Sequence, residues 1–444
     1  MQLKKRILIV SSEVWRDEIS GGNVLTNLFS GFMYEYEFAQ VYTNSQLPSN
    51  LVCKSYFHLA EGEMFGSLKR RSPFGKSLFF ENFPKNDPEC QKSEDITSRG
   101  FFSFARKLRW EIMQTIRYAF WRYSKWETPA LKKFIVDFNP DFVFAPMYYD
   151  LHVLRLDRYI SRLTGKRLIA YVYDDHLSLK QFSLSPFYWI NRVILHFAVI
   201  RTAKYYGLLY SMTQEQIDEY EPILKVPMKL LKKGGDFYKI DPKLEKLNDP
   251  LRIIFGGNLF YKRDAVLQKV VRAIQKINID KVKIQLFVYT QAPLTAELKD
   301  MLHDGRSSFL MGKVSNEELM KIYSKSDIAL HVESMGLKQR LITRLSFSTK
   351  IIDLMTAGRC LVAICWAKSA PFRYLQAEDA AICISDPDKI QMQIQQLVDN
   401  PELIREYGIK SWKCGKKNHD IQQITEELKK DFKAFNSPSN IVVL

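Results

Sequence analysis

The segment "SFSTKIIDLMTAG" (346–358) groups hydroxyls, a lysine and a carboxylate at the start of an expected helix. Ser346, Ser348 and Thr349 are helix-capping residue types, and Lys350 falls in the first turn. A helix N-terminus with free N–H groups, hydroxyls and one lysine suits an anion. Asp353 lies four residues after Thr349 and three after Lys350, hence on their face. Together they suit a nucleoside diphosphate, with cap and lysine toward the phosphates and the carboxylate toward the ribose hydroxyls. An ordinary capped helix with solvated Lys350 and Asp353 accounts for the same residue types.

A second group is "FGGNLFYKRD" (255–264). Gly256 and Gly257 follow an apolar run and let the backbone approach a ligand closely. Lys262 and Arg263 stand where the next helix should begin and would supply fixed positive charge to a leaving diphosphate. A glycine turn with surface charges is the plainer reading. Glu333 ends the strand "DIALHVE", where ligand contacts belong in a parallel sheet, although a solvated strand-end glutamate is as ordinary. Asp174, Asp175 and His176 end another strand, and Asp175 or His176 would accept a proton or position a sugar; a loop cluster is the alternative. His152 and His331 read as packed histidines.

The elements that must position these residues alternate strand and helix. "RILIVSS" is a first strand, followed by a loop with Gly21-Gly22 and a helix "NVLTNLFSGFMYEY". Residues 60–100 read as an irregular loop. Around 101–126, apolar or small residues at 104, 108, 112, 116, 119 and 123 have helical spacing, and the stripe is expected to cover the first sheet. From 99 to 133 there are nine Lys/Arg against two Glu, so the opposite face would favour an anionic membrane, with Trp110, Trp121 and Trp126 near the headgroups. A second strand–helix series begins at "LRIIFGGNLF". The expected architecture is α/β: two doubly wound Rossmann-like domains facing across a cleft. The expected boundaries are an N-terminal, acceptor-side domain at 1–235, a linker at 236–250, a nucleotide-sugar domain at 251–415, and a helix at 416–444 returning to the first domain.

Bulk properties narrow the function classes. The chain has 444 residues, a net charge of +16, and six cysteines without a CxxC pair. The charge points to acidic partners. The cysteines fit reduced thiols in a cytoplasm. No uncharged apolar run reaches the length of a membrane span; "PFYWINRVILHFAVI" is interrupted by Arg192. A nucleic-acid-binding protein would show an aromatic stacking signature or a basic recognition helix in a known motif, and the sequence has neither.

"DIALHVES", "LSFSTKIIDLMTAGRCLVAI" and "FGGNLFYKRD" together resemble the nucleotide-sugar half of GT-B glycosyltransferases, in the family 4-like group that builds bacterial surface polysaccharides. "ILIVSSEVWRDEISGGNVLTNLF" is similar to that fold's first strand and Gly-Gly loop. The resemblance implies a retaining, metal-independent transfer from a nucleoside-diphosphate sugar to a saccharide or lipid-linked saccharide. It requires no cofactor beyond the donor and no nucleic acid, and places the protein in the cytoplasm, at most peripheral to the plasma membrane. Asp353 takes the place of the second acid of the family's paired-glutamate motif, for the donor ribose. The first acid falls on Leu345, which cannot serve, and Glu333 would replace it at the donor sugar. The family's phosphate-binding Arg and Lys correspond to Asn258 and either Lys262 or Arg263, so Lys350 and the 346–349 hydroxyls carry more of the phosphate. Gly21 and Gly22 would lie near the donor phosphates or the acceptor. The loss of the acid at Leu345 leaves a non-catalytic GT-B nucleotide-binding protein as the alternative.

Overall fold

The computed structural model describes residues 4–18, 20–61, 63, 74–79, 101–147, 150–240, 242 and 246–435. Most of the expected loop at 60–100 and the last residues of the expected terminal helix lie outside them. The chain divides into two compact units, one of 1–232 with 422–444 and one of 233–421.

In the first unit the strands are β1 (Lys5–Val10), β2 (Tyr36–Tyr42), β3 (Ser55–His58), β4 (Lys76–Phe79), β5 (Phe142–Met147), β6 (Leu168–Val172), β7 (Tyr206–Ser211) and β8 (Met228–Leu230). Their order is β4-β3-β2-β1-β5-β6-β7-β8, and only the β3–β4 pair is antiparallel. The runs "RILIV", "FVFAPM" and "LIAYV" are buried along most of their length, as strands covered on both faces must be. The helix Ile421–Phe435 completes this core. Phe432 is fully buried against Phe29, Phe32, Phe142 and Phe144, with ring centroids 5.0–6.5 Å apart.

The basic aromatic segment is two helices, Phe101–Tyr123 and Pro129–Phe138. Thr128 separates them, its side chain accepting from the Leu131 N–H at 3.1 Å, with Pro129 in the first turn. The expected apolar stripe does not cover the sheet. Ile116, Ala119 and Tyr123 face solvent, while Glu111 and Trp121 are buried. Positions 104 and 108 fall among side chains outside the described ones.

The second unit has β9 (Leu251–Gly256), β10 (Ile284–Tyr289), β11 (Ser308–Gly312), β12 (Ile328–Val332), β13 (Cys360–Ile364) and β14 (Ile382–Ile384), all parallel, in the order β11-β10-β9-β12-β13-β14. Leu286, Ile328, Leu330 and Val362 pack with Val270 and Ile274 of the helix Arg263–Ile277. The winding direction reverses between β9 and β12, which opens a ligand crevice at their carboxyl ends. The stretch 236–250, expected as a linker, belongs to this unit. Phe237 is buried, and Asn248 Nδ2 donates to Asp327 Oδ1 at 3.0 Å.

Candidate functional site

The reversal point gathers most of the residues expected to bind the donor. Glu333 follows β12 directly, its N–H donating to the Ile364 carbonyl at 2.8 Å. Arg263 opens the helix after β9 and forks onto it: Nε donates to Oε2 at 3.2 Å, Nη2 to Oε1 and Oε2 at 2.8 Å each. His331, two residues earlier and so on the same strand face, places Nε2 3.4 Å from Oε1. Burial would raise the Glu333 pKa, but His331 and Arg263 outweigh it and bring it to about 2. Glu333 is therefore a fixed anion holding a fixed cation. Arg263 Nη1 has no hydrogen-bond partner among the described residues and remains for a ligand.

Lys350 adds a second cation. The residue as a whole is exposed, but its ammonium is drawn against the backbone: a methyl group on Gly257 would lie 2.5 Å from Nζ. Burial of the ammonium, then the charge of Arg263, lowers its pKa to about 8, with Asp353 and Glu333 opposing. Asp353 stands one turn along, Oδ1 accepting from the buried Lys233 Nζ at 2.6 Å. Gly256 has no room for a side chain, because Leu319 and the Tyr323 hydroxyl approach within 2.7 Å of where a Cβ would stand. Both glycines thus serve close approach, one to the helix Asn316–Ser324 and one to Lys350.

The chain turns sharply before Arg263. Tyr261 and Lys262 both adopt left-handed conformations, φ 60° and 64°, uncommon for side-chain-bearing residues and concentrated at functional sites. Lys262 is exposed. Among the described residues the buried Asn258 Oδ1 has no hydrogen-bond partner.

The hydroxyl cap does not form as expected. The helix Lys350–Thr356 has seven residues, and Thr349, helical itself, makes no side-chain cap bond. The Ile351 and Ile352 N–H groups donate to the carbonyls of Ser348 and Thr349. Ser346, Ser348 and Thr349 are half-buried. The groups here suited to an anion are the cations rather than a capped terminus. Leu345 is buried in the core, so the missing acid is replaced by packing.

In the first unit, Gly21 and Gly22 lie inside the helix Ser20–Phe29 rather than in a loop. A Cβ on Gly22 would stand 1.9 Å from the Arg16 carbonyl oxygen, so this glycine admits the preceding loop, not a ligand. Asp175 is fully buried and saturated. It accepts from the Ser178 N–H and hydroxyl, from Tyr220 Oη at 2.9 Å and from Arg192 Nη2 at 3.2 Å. His176 is buried beside it, and burial, then Arg192, lowers its pKa to about 3. Neither group is placed to take a proton from an acceptor; Asp175 anchors the helix Pro186–Ala203 through Arg192.

Sequence reasoning passed over Lys233 and set His331 aside as packed. The two-residue spacing of His331 and Glu333 on one strand is a signal that pairs them; nothing local marks Lys233. Nothing local marks a half-buried ion-pair group in the first unit, where Arg117 binds both Glu61 and Asp150; beside it His152 is packed as expected, stacking on Trp121 at 4.3 Å.

The glycosyl transferase-like family matches residues 301–430, which include Glu333, Lys350 and Asp353 but not Arg263. No curated protein matches the chain. HepE of Anabaena, solved in complex with UDP, aligns over 97% of this chain and 100% of its own, with TM-score 0.61 at 11% identity. The chain has the GT-B fold. Sucrose-phosphate synthase of Thermosynechococcus elongatus shares the GT-B fold over 98% of this chain and 99% of its own, with TM-score 0.60 at 12% identity. TarM of S. aureus, in complex with UDP, does so over 97% and 100%, with TM-score 0.57 at 9% identity.

Proposed function

We propose that the chain moves a sugar from a nucleoside-diphosphate sugar to a saccharide or lipid-linked saccharide acceptor, with retention and without a metal, in building a cell-surface polysaccharide. The observation that carries the reading is the pair of interacting cations, Arg263 and Lys350, where the second sheet reverses, with Lys350 Nζ against Gly257. Breaking the bond between the sugar C1 and the diphosphate oxygen leaves negative charge on the leaving group. Arg263 Nη1 and Lys350 Nζ are the groups to receive it, each charge-assisted hydrogen bond contributing about 1.5–3 kcal/mol. Glu333 keeps Arg263 aimed and is itself spent on that task, so the donor-sugar contact expected of it passes to other groups. Asp353, fixed by Lys233, keeps one oxygen for a ribose hydroxyl. Retention, metal independence and the polysaccharide role are supported by the sequence resemblance to the family 4-like group.

HepE and TarM were solved with UDP, which makes UDP the first nucleotide to test. Purified protein should bind UDP in calorimetry and release it from a UDP-sugar when a saccharide acceptor is added. A second reading, a nucleotide-binding protein without transfer, is favoured by buried Leu345 at the position of the first acid. Binding of UDP without turnover across a panel of UDP-, GDP- and ADP-sugars and acceptors would establish that reading instead.

A further inference from the structure

Two neighbouring helices of the first unit turn apolar faces to solvent. Phe101–Tyr123 and Pro186–Ala203 lie side by side: Thr115 Oγ1 donates to Asn191 Oδ1 at 2.8 Å, and Asn191 Nδ2 donates to the Glu111 carbonyl at 3.0 Å. The second helix buries Arg192, Leu195 and Val199 and exposes Ile190, Ile194 and Phe197, at helical spacing. The first exposes Trp110, Met113 and Ile116. Trp110 and Phe197 are each 64% exposed. Pro186–Ala203 carries no acidic residue, and Glu111, the one acid between Trp110 and Trp126, is buried. Exposed large apolar side chains grouped on two adjacent helices mark an interaction surface.

The charge beside this surface is one-sided. The two helices run in the same direction, and their carboxyl ends meet the helix Leu151–Thr164: Arg155 Nη1 donates to the Trp121 carbonyl, and Arg158 Nη1 to Thr202 Oγ1 at 2.7 Å. Arg122, Arg155, Arg158 and Arg201 gather there, and none forms an ion pair among the described residues. Their mutual repulsion registers as lowered pKa values for Arg155, after burial chiefly from Arg122, and for Arg158, after burial chiefly from Arg201 and Arg155. Four arginines, faced by the acids Glu127 beside Arg155 and Asp157 beside Arg158, leave a net positive charge next to the apolar face, which matches one partner: a layer with anionic headgroups above hydrocarbon.

We infer that the outer face of residues 110–123 and that of Pro186–Ala203, with the arginines at their carboxyl ends, dock the protein onto an anionic phospholipid bilayer. Among the described residues no helix is long and apolar enough to cross a membrane, so attachment through this surface is peripheral. The inference stands independently of the donor site.

The test is co-sedimentation of the full chain with vesicles of phosphatidylcholine alone and of phosphatidylcholine with about one third phosphatidylglycerol. The anionic vesicles should retain the chain at least about tenfold better. Arg122→Gln with Arg201→Gln should cut retention about 25-fold, at about fivefold per basic residue. Ile194→Ser with Phe197→Ser should cut it by about tenfold or more through lost apolar burial. These residues are exposed, so the variants should keep the wild-type melting temperature, and brominated lipid should quench wild-type fluorescence more than that of Trp110→Phe. Equal retention on neutral vesicles, or variants that bind as well as wild type, would overturn the inference. So would a dimer in light scattering that Phe197→Ser dissolves, which would make the face an interface between copies. Complete release by millimolar pyrophosphate would also overturn it, assigning the arginines to a free anion.

Discussion

In the proposed reading Arg263 suits a diphosphate because Glu333 holds it by Nε and Nη2 and leaves Nη1 over. Glu333→Gln keeps the shape and removes the charge. UDP affinity should fall about tenfold while the fold survives, measured by calorimetry beside a melting curve. The same carboxylate titrates visibly. Its folded pKa, about 2, lies below the ordinary 4.5, so its stabilisation is present above pH 4.5 and is lost as pH falls toward 2. Wild type should lose more stability than Glu333→Gln over that window, followed by denaturant midpoint. Lys350 gives the opposite sense. With its pKa lowered to about 8, it is charged at pH 7 and neutral by pH 9, so diphosphate binding should weaken across that range. Binding near pH 8 should take up protons, which calorimetry in buffers of differing ionisation enthalpy reads directly; no uptake would remove Lys350 from the site.

At the scale of elements, two glycines separate packing from function. Gly22→Ala puts a methyl 1.9 Å from a backbone oxygen, which cannot be relieved by a rotamer, and should cost a few kcal/mol, roughly the size of overpacking. Gly257→Ala meets only the end of a lysine, so the melting temperature should hardly move while UDP affinity drops. An equal loss of stability in both variants would contradict this account. The same contrast explains what the sequence showed. Parallel strands buried along all or nearly all of their length, such as "CLVAI" and, apart from Arg252, "LRIIFG", read plainly because their runs are apolar. The short strands β3 and β8 did not, since three or four residues carry too little pattern. The outward stripe of Phe101–Tyr123 was misread because periodicity gives a face but not which side it turns. Arg263, Lys350 and Asp353 were legible from type and position, whereas Lys233 joins them by tertiary packing alone.

At the scale of the molecule, the first unit is assembled from two distant stretches of chain, and Phe432 is the peg. Phe432→Ala should destabilise that unit by about 3–5 kcal/mol. The second unit should then melt separately, visible as two calorimetric transitions where wild type has closer ones. A single unchanged transition would deny Phe432 that part. The discontinuity also orders events during synthesis. Everything from 233 to 421 has left the ribosome before the last aromatic wedge of the earlier-made sheet arrives. The portion translated second can therefore finish folding first, while the nascent amino-terminal half waits, its hydrophobic seam open to chaperones.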